Sequence, residues 1–146
     1  WCAVMGLLYA GMTYYLRPQQ VRIQANGDLV IQRALDGHFY APGRIQGREV
    51  MFLVDTGASL VTVSETFARQ AQLTGGTSTV FRTANGDRPG RIVEGIPVQI
   101  GPVEVNRVRI GIGLSVGDDN QALLGQSFLS KFDVILGKDQ MVLKPR

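Results

Sequence analysis

The chain has 146 residues, enough for one ordinary domain and too few for two well-buried cores. At 45% hydrophobic and 18% charged it is globular rather than disordered, and its +3 net charge comes from scattered Lys and Arg, which argues against a nucleic-acid surface. With one cysteine, Cys2, and one histidine, His38, it can form no intramolecular disulfide and no Cys- or His-built metal site, so neither metal nor cofactor is expected.

Trp1 to Leu16 carries no charge and is rich in Leu, Met, Ala and Gly. As a helix it would span roughly 24 Å against the ~30 Å hydrocarbon core of a bilayer. The chain opens on Trp1 rather than a start methionine, so this stretch reads as the downstream part of a longer span. Tyr14 and Tyr15, followed by Arg17 and Pro18, supply an interfacial belt and a helix stop. A signal-peptide core would need a small-x-small pattern before Arg17, and an amphipathic core helix would not be apolar on every face. Residues 1–17 are therefore assigned to a transmembrane anchor and the polar stretch 18–26 to a linker. Residues 27–146 form the remaining domain.

Eighteen glycines and six prolines punctuate many short apolar runs, the signature of a mainly β fold. Leu29-Val30-Ile31 starts a strand and Leu35-Asp36-Gly37-His38 turns it, with His38 on a strand facing solvent or the sheet edge. Phe39 to Ile45 continues, and Gln46-Gly47-Arg48 turns the chain into Glu49–Asp55. Leu60 to Val63 returns as a short strand. Ser64 caps a helix over 65–72 that buries Phe67, Ala68 and Ala71. Val80 to Thr83 and Arg88 to Ile92 pair around an exposed glycine-containing tip. Val98 to Ile100, Gly101-Pro102 and Val103 to Ile112 form another pair, in which period-two alternation puts Val103, Val105, Arg107 and Arg109 on one face. Gly111 to Gly117 lacks the spacing and following helix of a dinucleotide loop and reads as a strand end and turn. Phe132 to Leu136 is the last strand identified. Seven or more short strands with one or two short helices suit a closed β-barrel or sandwich.

The most specific element is Asp55-Thr56-Gly57-Ala58-Ser59, entered by the apolar run Val50-Met51-Phe52-Leu53-Val54. An Asp-Thr-Gly triplet arises by chance in roughly 3% of chains this long at average residue usage, and an apolar strand before it lowers that further. A plain strand-ending turn is the competing explanation. Some 68 residues on, Ala122-Leu123-Leu124-Gly125 leads into a short amphipathic helix and then the strand 132–136.

Together these elements resemble the retropepsin-like aspartic proteases over about 27–146, and look closest to the bacterial membrane-anchored members. The resemblance implies that Asp55 is catalytic and that Thr56, Gly57 and Ala58 complete its loop. Thr56 would bond across to a second subunit, and Leu123, Leu124 and Gly125 would pack behind the loop. Thr83, Ala84, Asn85, Gly86 and Asp87 form the candidate flap, a plain exposed turn being the other reading.

Peptide hydrolysis by carboxylates needs two of them sharing one proton, and only one Asp here precedes Thr-Gly. The simplest second carboxylate is Asp55 of another copy, so a homodimer is expected, as the resemblance also implies. No covalent intermediate is required, and Gly125-Gln126-Ser127-Phe128-Leu129 lacks the closing glycine of a serine elbow. The expected activity is that of an aspartic endopeptidase acting on protein or peptide substrates. The alternative is a non-catalytic peptide-binding or assembly module of the same fold at the membrane. Arg17 and Arg22 by themselves suggest a cytoplasmic domain, whereas the resemblance implies a bacterial inner-membrane protein facing the periplasm.

Overall fold

Gln46 and Gly47 both take left-handed backbone, with φ of 50° and 81°. That two-residue turn folds β3 (Tyr40–Ile45) back on β4 (Arg48–Val54), because its twist matches the twist of the paired strands. The structure is a computed structural model and describes residues 22–23, 27–114 and 118–146, the first pair by backbone alone. The anchor assigned to 1–17, most of the linker and the end of the 111–117 turn lie outside the described residues. Among the described residues no helix is long and apolar enough to cross a membrane.

From β4 the sheet grows by long-range pairings. β4 runs parallel to β9 (Gln121–Leu124), which meets β5 (Val61–Val63) at the single pair Thr62 and Leu123. β5 runs parallel to β8 (Val103–Ile112), and β8 is antiparallel to β7 (Gly86–Ile100). The end of β7 then pairs with β3, from Gly43 with Ile100 to Ile45 with Val98, closing a six-stranded barrel. Gly43 permits that closure: a Cβ there would collide with the Gln99 carbonyl oxygen and approach the Phe52 ring to 2.7 Å. β6 (Thr77–Thr83) continues past the barrel as the outer strand of a hairpin with β7.

Alternation along these strands fills the interior. Ile45, Phe52, Val61, Val98, Ile100, Ile110 and Leu124 are fully buried. Helices α1 (Glu65–Gln70) and α2 (Gln126–Leu129) add the fully buried Phe67 and Phe128 to the same core. The cap of α1 is as expected, with the Ser64 Oγ accepting from the Phe67 N–H at 3.1 Å, worth about 1 kcal/mol. α1 ends two residues earlier than the spacing predicts, because Gln72 turns left-handed at φ 59°.

A second sheet has the order β1 (Arg22–Ile23), β2 (Leu29–Gln32), β11 (Gln140–Pro145) and β10 (Phe132–Leu136). Arg33 joins it to the barrel. Its guanidinium donates to the carbonyls of Lys138 (2.7 Å), Gly37 (2.8 Å) and Gly137 (3.2 Å) and lies 4.6 Å from the Phe39 ring centroid. Its backbone bridges Phe39, whose carbonyl accepts from the Val54 N–H.

Three further features differ from expectation. β11 was not anticipated, although Met141 and Leu143 turn inward on either side of the half-buried Val142, between Gln140 and Lys144. β7 is one strand where two were expected. It absorbs irregularities near Gly95 (φ 74°) and Pro97, since a bulge bends a strand without ending it. The same irregularities shift the phase of β8, so Arg107 and Arg109 do not share the face of Val103 and Val105. The two valines are half-buried against the core, then Val108, Ile110 and Ile112 turn inward and both arginines are exposed.

Candidate active site

Val54 closes β4 opposite Leu124, and the next N–H, that of Asp55, donates to the Leu124 carbonyl at 3.1 Å. The chain then turns sharply. The Ala58 N–H donates to the Asp55 carbonyl at 3.2 Å, and the Gly57 N–H reaches the Asp55 side chain, donating to Oδ1 at 2.9 Å. Asp55, Thr56 and Gly57 are exposed at the rim and Ala58 is half-buried. A fixed carboxylate is thus presented to solvent from the end of an apolar strand.

The segment after β9 stitches this loop from below. The Gln126 N–H donates to the Ala58 carbonyl at 2.8 Å and the Ser127 N–H to the Ser59 carbonyl at 2.9 Å. The Ser127 hydroxyl accepts from the Val61 N–H and donates to the Arg109 carbonyl, both at 2.8 Å. The Gln126 side chain donates through Nε2 to the Thr56 carbonyl, also at 2.8 Å. Leu123 is half-buried and Leu124 fully buried directly beside the loop. Leu123, Leu124 and Gly125 therefore lie against Asp55 to Ala58. Gln126 and Ser127 were not singled out from sequence. Their signal was two polar residues opening a short helix immediately after Leu-Leu-Gly.

Comparison with known proteins bears on what such a loop belongs to. Residues 41–131 match the family described as gag-polyprotein putative aspartyl protease. The crystal structure of a retropepsin-like aspartic protease from Rickettsia conorii superposes with a TM-score of 0.66 at 30% identity, covering 80% of this chain and 89% of that one. The chain belongs to the retropepsin-like aspartic protease family. It is 32% identical over 114 residues to an uncharacterised protein in the cobV 5′ region of Sinorhizobium sp, covering 74% of this chain and 47% of that protein. It is 30% identical over 121 residues to an uncharacterised protein of Rickettsia prowazekii (strain Madrid E), covering 80% and 51% respectively. The chain thus spans about half the length of the curated relatives it matches.

In this retropepsin-like domain the expected flap residues Thr83 to Asp87 form the tip of the β6–β7 hairpin, with Thr83 half-buried and Ala84 to Asp87 exposed. The Thr83 hydroxyl organises the tip, donating to the Gly86 carbonyl at 2.6 Å and accepting from the Asn85 N–H at 3.2 Å. Contact with the rest of the fold is made lower down, where the Phe81 ring occupies the space that side chains at Gly90 and Gly111 would fill, beside Leu60.

Most other carboxylates are engaged elsewhere. Glu65 pairs with Arg91, Glu94 with Arg109, Glu49 with Arg44, Asp133 with Arg146 and Asp28 with Lys144. Asp36 holds the Tyr40 hydroxyl at 2.6 Å and faces His38 in the exposed loop before β3. Asp118 and Asp119 precede Gln121, which is level with Met51, four residues and about 13 Å of strand before Asp55. A groove of about 610 Å³ that includes Pro42, Arg44, Met51 and Asn120 also lies at that far end of β4.

Proposed function

We propose that this chain is the catalytic domain of a homodimeric aspartic endopeptidase in which Asp55 of two copies forms the active pair. The observation that carries the reading is an exposed carboxylate fixed by its own loop N–H on a rigid strand end, in the Asp-Thr-Gly turn, while Glu65, Glu94, Glu49, Asp133, Asp28 and Asp36 are held by partners elsewhere. Two such carboxylates brought together cannot both be charged and share one proton. The ionised one takes a proton from water as the water oxygen bonds to the scissile carbonyl carbon. The protonated one gives its proton to the carbonyl oxygen. When the tetrahedral diol collapses, its hydroxyl proton returns to the pair, a proton passes to the departing nitrogen and the C–N bond breaks. The dyad is regenerated and no covalent enzyme intermediate forms.

Within this proposal, Thr56 of each copy faces the other copy's loop and the Thr83–Asp87 tip closes over an extended peptide. Tethering by residues 1–17 at a bacterial inner membrane, with the domain in the periplasm, would concentrate the chains and favour pairing. The test is Asp55→Asn. It should remove cleavage of a mixed peptide library and leave the fold and the dimer intact, as read by circular dichroism and sedimentation. Undiminished cleavage in that variant would refute Asp55 as the active group, whereas a parent chain that binds peptides as a monomer without cutting them would support a binding module instead.

A further inference from the structure

The Thr56 carbonyl and the Gly57 N–H belong to one peptide group, and each end of that group is occupied. Gln126 Nε2 donates to the Thr56 oxygen at 2.8 Å, and the Gly57 N–H donates to Asp55 Oδ1 at 2.9 Å. We propose that Gln126 is a positioning residue that acts on Asp55 through the 56–57 peptide, by a relay running from its carboxamide through that peptide to the carboxylate. The relay concerns the same site as the proposed protease and rests on that reading for its kinetic consequence.

The physical basis is cooperative polarisation. A hydrogen bond to a peptide oxygen pulls electron density toward that oxygen and makes the N–H across the amide a better donor. The better donor binds the ionised carboxylate more tightly and fixes its rotamer. Gln126 is also anchored for this purpose, because its own backbone N–H holds the Ala58 carbonyl at 2.8 Å. One residue therefore grips the loop on both sides of Gly57, and the 56–57 plane cannot turn without breaking a bond at one end. Gln126 itself is exposed, so its replacement opens no hole in the core.

The test uses the full chain and two variants. In Gln126→Met, which keeps the length and removes the donor, kcat should fall about fivefold while KM stays within about twofold. The Gly57 amide proton should move upfield in the NMR spectrum of the same variant. Gln126→Glu serves as the internal control, since its ionised carboxylate cannot donate and its protonated form can. Its kcat relative to the parent should recover as pH falls through roughly 4.3. A merely structural role for the side chain predicts no such pH-dependent recovery. An unmoved Gly57 amide with unchanged kcat in a folded Gln126→Met overturns the relay, as does a Gln126→Glu ratio that stays flat with pH. If the parent cuts nothing, the protease reading fails while the Gly57 resonance still reports on the relay.

Discussion

Gly125 lies so close to Leu60 that a Cβ at position 125 would run into the Leu60 carbonyl oxygen and come within 2.8 Å of the Ala58 carbonyl oxygen. Both obstacles are backbone, so neither can swing aside. The glycine therefore allows β9 to pass under the Asp55 loop closely enough for the Gln126 and Ser127 N–H groups to reach it.

Gly125→Ala should consequently displace the loop rather than merely crowd a side chain. Forcing a methyl into a packed site costs typically 1–3 kcal/mol, and here about 3 kcal/mol is expected because the contacts are main chain. Urea denaturation should register that loss, with proteolysis falling further than stability because Asp55 moves with its loop. A variant as stable and active as the parent would contradict the close approach.

Ser127 offers a different lesson, because its hydroxyl satisfies the Val61 N–H of a fully buried residue. Ser127→Ala leaves that donor without its partner and also releases the Arg109 carbonyl. Leaving a buried donor unpaired costs about 1–3 kcal/mol, so destabilisation of about 2 kcal/mol is expected by chemical denaturation. Faster hydrogen exchange at the Val61 amide should accompany it.

How much of this site could be read beforehand depends on whether its cause is local. Gln46-Gly47 and Ser64 act within a few residues, so the turn and the helix cap were legible. The Asp55 loop announced itself through an apolar strand ending at Asp-Thr-Gly. The barrel closure at Gly43 and the placement of β11 between β2 and β10 depend on strands far apart in sequence, and the phase shift of β8 depends on irregularities in its pairing with β7. A bulge reverses the facing of every later residue and leaves no mark in alternation upstream, which is why Arg107 and Arg109 were assigned to the wrong face. Gln126 escaped notice for a related reason: an exposed Gln reveals its partner only when the loop 70 residues earlier is folded against it.

Asp36 and Tyr40 make a reciprocal pair that titration can read. The Tyr40 hydroxyl first, and the His38 backbone N–H second, hold the Asp36 carboxyl below its ordinary value of 3.8, and the same bond raises Tyr40 above 10.0. For Asp36 the depressed value means a stabilising contribution present above pH 3.8 and lost as pH falls through the native value. For Tyr40 the contribution is present below pH 10.0 and lost as pH rises through the raised value. In Tyr40→Phe the Asp36 carboxyl should titrate closer to 3.8 by NMR, and in Asp36→Asn the tyrosinate absorbance should appear closer to pH 10.0. Titrations identical to the parent would dissolve the pair.

Phe81 seats the β6–β7 hairpin on two positions that have no side chain of their own, Gly90 and Gly111. Phe81→Ala should leave the barrel folded, because the ring is only half-buried and belongs to the outer strand. The hairpin loses about 1–2 kcal/mol of apolar contact. Amide exchange across Val80 to Thr83 should therefore rise about tenfold, with KM for peptides increasing as the hairpin tip loses its fixed position. Unchanged exchange would mean that the strand pairing alone holds the hairpin.

The need for two copies of Asp55 can be tested without any structural measurement, by mixing. If one chain carried the whole reaction, an equal mixture of parent and Asp55→Asn protein would retain about one half of the activity of the same total amount of parent. If both carboxylates of a symmetric pair are required, random re-pairing leaves only about one quarter of the dimers with two Asp55 residues. The subunits must exchange for the second result to appear, so the mixture is followed in time from combination to a plateau. A fall from one half toward one quarter is expected, at a rate set by dimer dissociation. A steady value of one half, in a mixture proved by mass-tagged subunits to have exchanged, would mean that Asp55 works without its twin.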